Sequence, residues 1–247
     1  MDSAHVSRIN VTPVKSLRLH HPEAVELGSD GAREDRRFLL VDHARRLYNG
    51  KRDTTLVRTG ASWDPQSRQL TLTLPSGELL EGEVGRSGPT VVNVYGRQVS
   101  GHVVTGAWAD ALSDLVGRSL TIVEREDGAW ATDSRPATLV SRASLALIDG
   151  DGRRFRMLLE LDGLEALEEE QWHARRVRAG EALLLVGVAT PRCAVPSASP
   201  DIGCRDRDVL RELLAVRGSV DGEACLGVYA EVLEPGIVRV GDAVEFA

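Results

Sequence analysis

The chain has 247 residues, 42% hydrophobic and 27% charged, a globular balance with enough length for one large or two modest cores. Aromatic residues make up only 4%, so the core must come mainly from Leu, Val and Ala. The net charge of −7 argues against broad binding to nucleic acid or an anionic membrane, which calls for a basic surface, yet allows a local basic pocket for a small anion.

The first hundred residues read as β-rich. Segments 6–14, 23–27, 37–41, 70–74 and 88–95 alternate or run apolar over strand lengths, between turn signals such as Ser29-Asp30-Gly31 and Pro75-Ser76-Gly77. A helix follows, with Thr105 as N-cap and Trp108, Ala111, Leu112 and Leu115 on one face before Gly117. Next come a strand at 120–124, a polar stretch at 127–135, a short helix at 145–148 opened by Ser141, and a strand at 155–161. Residues 165–172 suggest an acidic helical turn, and 182–188 an apolar strand. Asp206 or Asp208 can cap a helix carrying Val209, Leu210, Leu213 and Leu214, which stops at Gly218. The chain closes with strands at 227–233, 237–240 and 243–246. The expected class is mainly β (α+β), a barrel-like architecture with few short helices. A join is expected between 85 and 118.

Several motifs recur along this framework: Pro13-Val14-Lys15-Ser16, then Asp35-Arg36-Arg37-Phe38, Asp133-Ser134-Arg135-Pro136, Arg153-Arg154-Phe155-Arg156, Pro191-Arg192-Cys193, Gly227-Val228-Tyr229 and Val240-Gly241-Asp242. In this order and spacing they resemble the MOSC family, named for the C-terminal domain of molybdenum cofactor sulfurases. Its relatives include the mitochondrial amidoxime-reducing component and bacterial proteins that reduce N-hydroxylated bases. The resemblance implies a MOSC N-terminal β-barrel-like domain over 1–95 and a MOSC domain over 96–247, binding the pterin molybdenum cofactor. It implies that Cys193 is the thiolate ligand to molybdenum. Lys15, Ser16 and Arg36 match the N-terminal cofactor contacts, and Arg154 and Arg156 the basic residues of the R-F-R motif. Ser134, Arg192, Ser197 and Asp242 are further candidate contacts, with a plain turn as the competing reading for Ser134 and Asp242. The sequence departs from the family at Met157-Leu158, where Pro-Asn is usual, and at 196–200, where Ser197 keeps a hydroxyl but the usual Asp is Ser199.

The chemistry can also be argued from the residues alone. A phosphate-bearing pterin needs cations, which arginine supplies bidentately and lysine as a point charge. A redox-active metal prefers a soft thiolate, and Arg192 beside Cys193 suits that form. Arg37 and Arg153 are expected to face away from their neighbours in an alternating strand. His173 reads as a packed or exposed ring, and Glu168 to Glu170 as a solvated face. The cysteines Cys193, Cys204 and Cys225 are odd in number with no C-x-x-C, which fits a reduced intracellular protein. No Cys/His spacing supports a zinc site, and an iron–sulfur cluster would need a fourth thiolate. No signal segment or membrane span is apparent, so the cytoplasm is the expected location.

Two functions compete. One is a molybdenum-dependent reductase of N-hydroxylated substrates, fed by a separate electron-donor protein of ferredoxin or cytochrome type. The other is a non-redox carrier of cofactor or sulfur, with Cys193 holding a persulfide or presenting its thiol to a cofactor-biosynthesis partner. A degenerate member without metal is the bland third reading. Pyridoxal phosphate, which the sulfurases carry on a separate domain, is not expected. Lys15 and Lys51 are the chain's only lysines, and neither has a convincing Schiff-base context. No dinucleotide fingerprint is present.

Overall fold

The computed structural model describes residues 4–128 and 133–247. Its largest sheet has seven strands in the order His5–Ile9, Leu159–Asp162, Ala137–Ser141, Cys225–Glu234, Ala182–Pro191, Arg176–Ala179 and Val244–Phe246. Its ladders are antiparallel except between Ala137–Ser141 and Leu159–Asp162. The two ends nearly meet. The Val6 N–H donates to the Asp242 carbonyl at 2.9 Å, and the Gly241 N–H donates to the Val6 carbonyl at 2.7 Å. The sheet is therefore a nearly closed barrel. Alternation supplies its core. In Arg176–Ala179 the arginines face outward while Val177 and Ala179 are buried, as a two-residue period requires. Ile9, Leu139, Leu159, Leu184 and Val228 fill the interior.

A second, five-stranded sheet runs Leu47–Tyr48, Phe38–Val41, Thr121–Arg125, Arg97–Thr105 and Gly85–Val94. All four residues of Phe38–Val41 are buried, because both faces of the sheet are covered. Phe38 and Leu40 pack with Leu112 and Trp108 of the helix Trp108–Val116, while Leu39 and Val41 pack with Val92 and Val123. A three-stranded meander, Gly60–Asp64, Gln69–Thr73 and Leu79–Glu83, adds Leu70 and Leu72 to the first of these cores. No helix among the described residues is long and apolar enough to cross a membrane.

Several expectations change. Thr105 does not cap the first helix; it ends the strand Arg97–Thr105, and Ala107 occupies the cap without a side-chain bond. Asp208 does cap Val209–Arg217, and Ser141 caps Arg142–Ala146. The strand expected over 155–161 begins only at Leu159, because Gly152–Arg154 is a 3₁₀ turn capped by Asp151. The polar stretch expected at 127–135 lies partly outside the described residues. The join at residue 95 falls in the turn between Gly85–Val94 and Arg97–Thr105, which pair along their whole length. The halves also exchange strands. His5–Ile9 belongs to the barrel, Ala24–Gly28 pairs with Gly236–Arg239, and Thr121–Arg125 belongs to the five-stranded sheet. Turn signals mark where the chain bends, not which sheet the next strand joins.

Candidate functional site

A cavity of about 320 Å³ opens between the two sheets, within the range of small-molecule sites. The first half of the chain contributes Lys15, Ser16, Arg36, Lys51 and Tyr95; the second contributes residues 153–158, 190–193 and Tyr229. Local backbone geometry aims these side chains. The Lys15 N–H donates to the Phe38 carbonyl at 2.8 Å, tying the Lys15-Ser16 corner to the five-stranded sheet. The Arg36 N–H donates to the Thr12 carbonyl at 2.7 Å, and the Asp35 carboxylate accepts the Thr12 N–H at 2.8 Å. Of the ten non-glycine residues with positive φ among the described residues, four line this cavity: Ser16, Arg36, Tyr95 and Arg156. A left-handed residue of this kind costs on the order of 1 kcal/mol, and such strain tends to collect at binding and catalytic sites.

The lining carries eight cationic side chains against two carboxylates, Asp35 and Asp133, in a chain whose net charge is −7. Most of these cations have partners. Arg153 pairs with Asp151 and Asp201, and Arg36 with Asp35. Lys15 lies 2.8 Å from Asp133. Burial pushes the Lys15 pKa down against the pull of that carboxylate. Burial would raise Asp133, but Lys15, with help from Lys51 and Arg36, holds it at about 2. Lys51 stands 4.3 Å from the centre of the Tyr95 ring. Burial works to lower its pKa, yet Tyr95, Asp133 and Cys193 raise it on balance.

Arg156 and Arg192 differ from the rest. Among the described residues, neither has a carboxylate within ion-pair distance. Arg156 donates to the Leu17 carbonyl at 2.8 Å. Arg192 donates to the Phe155 carbonyl and to the Met157 sulfur, the latter at 3.1 Å. Its Nε is buried without a partner. Burial pushes both pKa values down, and for Arg156 the neighbouring Arg36 adds to the effect. Arginine does not deprotonate in proteins, so both remain charged groups that an anion would satisfy.

Cys193 is half-buried at the end of the strand Ala182–Pro191, before the turn Val195–Ser197. Among the described residues, no three His, Cys, Asp or Glu side chains gather as a metal cluster. A metal bound at this thiol would have to bring most of its ligands with it.

Eight of the ten residues singled out from sequence line the cavity. Ser197 and Asp242 do not. The Ser197 hydroxyl accepts the Val209 N–H at 3.2 Å and so anchors the helix Val209–Arg217. The Asp242 carboxylate accepts the Arg239 N–H at 2.7 Å in the turn that closes the barrel. Arg154 lines the cavity, but its guanidinium is committed elsewhere. It donates to both oxygens of Asp206, at 2.9 and 2.7 Å, and fastens the loop after Cys193. Arg37 turns instead to Glu124 and Asp127. The acidic run is not a solvated face. Glu169 is fully buried and accepts from Ser141 N–H and Ser144 Oγ.

Sequence reading missed Asp35, Asn49, Lys51, Tyr95 and Thr190, all of which line the cavity. One signal was available: in a chain that otherwise uses arginine for its cations, both lysines stand here.

Residues 3–119 match the family model described as the MOSC N-terminal beta barrel domain, and residues 118–245 match that of the MOSC domain. Among solved structures, the YuaD protein of Bacillus subtilis is 14% identical, with 99% of this chain and 96% of that one covered and a TM-score of 0.45. YiiM of Escherichia coli is 21% identical over 46% of this chain and 54% of its own, with a TM-score of 0.31. No curated protein matches the sequence.

Proposed function

Because the chain belongs to the MOSC family through both of its matched domains, we propose that the cavity between the sheets binds the molybdenum cofactor and that the protein reduces N-hydroxylated substrates with electrons from a separate donor protein. MOSC domains are associated with that cofactor. One observation carries the reading: Cys193 shares a cavity with two buried guanidiniums that lack carboxylate partners among the described residues.

The donor set fits the group. Its phosphate calls for bidentate cations, and Arg156 and Arg36 meet that need with Lys15 as a point charge. Its metal calls for a soft ligand, which the Cys193 thiolate supplies. The volume suits a small molecule. When bound, the cofactor would supply a metal that changes by two electrons and takes oxygen from nitrogen. The protein's own task is to bind and orient. Lys15, held 2.8 Å from Asp133, would be shared between that carboxylate and the cofactor's phosphate. Lys51 and Tyr95 hold the rim of the cavity beside Cys193. These 247 residues hold three cysteines, one short of a four-thiolate cluster, which supports an electron source outside them.

The test is molybdenum and pterin content in wild type and Cys193→Ala, purified from a host that makes the cofactor. Near-stoichiometric metal in the wild type that falls in the variant is expected. Equal metal in both removes Cys193 as the ligand, and a wild type without pterin removes the cofactor reading. Loaded protein should then reduce an aromatic amidoxime with a reduced viologen dye. Loaded protein inert toward N-hydroxylated substrates would favour the carrier function.

A further inference from the structure

The strand Ala182–Pro191 delivers Thr190 to the cavity three residues before Cys193. Thr190 is 4% exposed, and its hydroxyl has no hydrogen-bond partner among the described residues. Buried hydroxyls are rarely left this way, because the desolvation cost is not recovered. The adjacent strand Cys225–Glu234 and the next one, Ala137–Ser141, bring two more hydroxyls to the cavity. Thr138 and Tyr229 face one another in register, and both line the cavity. Thr138 Oγ1 accepts the Leu158 N–H at 2.8 Å, so its own proton remains available to donate. Arg192 Nε, two residues beyond Thr190, is the second buried group here without a partner. Next to these donors the wall is apolar, formed by Met157 and Leu158.

We infer that Thr190, with Thr138 across the intervening strand Cys225–Glu234, forms the hydrogen-bonding edge that reads a flat heterocycle carrying ring-nitrogen or carbonyl acceptors, while Met157 and Leu158 offer that ring an apolar surface. Rotation about χ1 exchanges the methyl and hydroxyl of Thr190, and this role requires the rotamer that turns the hydroxyl into the cavity. The inference rests on the cofactor reading, in which the heterocycle is the pterin. It assigns Thr190 a binding role that folding does not need. The hydroxyl stabilises nothing in the empty protein, so deleting it should weaken ligand binding without weakening the fold.

The experiment compares full-length wild type, Thr190→Val and Thr190→Ser. Protein from a cofactor-producing host is diluted, and retained pterin is followed by the fluorescence of its oxidised product. Thr190→Val should lose pterin roughly fivefold faster, the size of one neutral hydrogen bond, and Thr190→Ser should behave as wild type. Protein from a host that cannot make the cofactor is melted in parallel, and Thr190→Val should melt at or above the wild-type temperature. Equal retention by Thr190→Val, loss by Thr190→Ser as great as by Thr190→Val, or a clear fall in the melting temperature of cofactor-free Thr190→Val would each overturn the inference. A wild type that holds no pterin overturns the cofactor reading itself, and this inference with it.

Discussion

Replacing Asp206 by Asn removes the carboxylate that receives both Nη atoms of Arg154. The Arg154 side chain is 8% exposed and that of Asp206 32%, and Asp149, 3.4 Å from Nε, would be the remaining counter-charge. An exposed pair is worth ~0.2–1 kcal/mol, while breaking a buried one costs ~3–5 kcal/mol. With one partner buried and the other a third exposed, a loss of about 2 kcal/mol is expected, in keeping with charge-assisted hydrogen bonds. Both partners' pKa values move accordingly, Arg154 upward and Asp206 downward, each chiefly through their shared hydrogen bond. Urea unfolding of cofactor-free protein should show Asp206→Asn and Arg154→Met each about 2 kcal/mol less stable. The double variant should be little worse than either, a coupling of about 1.5 kcal/mol. A coupling below about 0.5 kcal/mol would refute the assignment of Arg154 to the loop and return it to the ligand.

Three other outcomes are expected. Leu158 is 4% exposed within the barrel core, so Leu158→Asn should cost cofactor-free protein about 3 kcal/mol in lost apolar burial and a buried amide; unchanged urea stability would show that this wall accepts an amide. The Asp133 pKa lies below its ordinary value of 3.8, at about 2, so its contribution to stability is full above the ordinary value and fades as pH falls toward the lower one. The difference in urea midpoint between wild type and Asp133→Asn should accordingly be constant from pH 5 upward and shrink to a small fraction of that by about pH 2, and a difference that survives there undiminished contradicts the ion pair with Lys15. Inorganic phosphate, at constant ionic strength, should raise the melting temperature of wild type but not of Arg156→Met, since a ligand stabilises only the state that binds it; equal shifts in the two would exclude Arg156 from the anion site.

Much of the fold is written locally. Phe38 to Val41 is an unbroken apolar run, and it lies buried on both sheet faces. Asp208 and Gly218 bracket a helix by capping chemistry alone. The strand Ala137–Ser141 escaped because it runs without a turn into the helix that Ser141 caps, so no breaker marks its end. The strand Arg176–Ala179 escaped because two of its four residues are arginine, although its alternation is regular. The site was legible where residues sit in motifs, as with Lys15, Arg36, Arg156 and Cys193. It was illegible where the residue's role depends on a distant partner. Nothing near Arg154 announces Asp206, fifty-two residues on. Nothing near Glu169 announces the buried Ser141 and Ser144 that it serves. Tyr95 reads as the end of the strand 88–95, and only the folded chain sets it beside Lys51.

The strand that seals the barrel also sets a schedule for the growing chain. His5–Ile9 is synthesised well before its partners, Leu159–Asp162 on one side and the turn at Gly241 and Asp242 on the other. It must wait for about 150 residues to be made before its first ladder can form, and for roughly 230 before its second. Loop closure over such spans is slow, and strands awaiting partners are open to pairing with other molecules. Neither half of the sequence can finish folding ahead of the other. A nascent chain of this kind depends on holding an amphipathic strand in reserve, and its yield in a cell should follow the supply of chaperones more closely than its final stability.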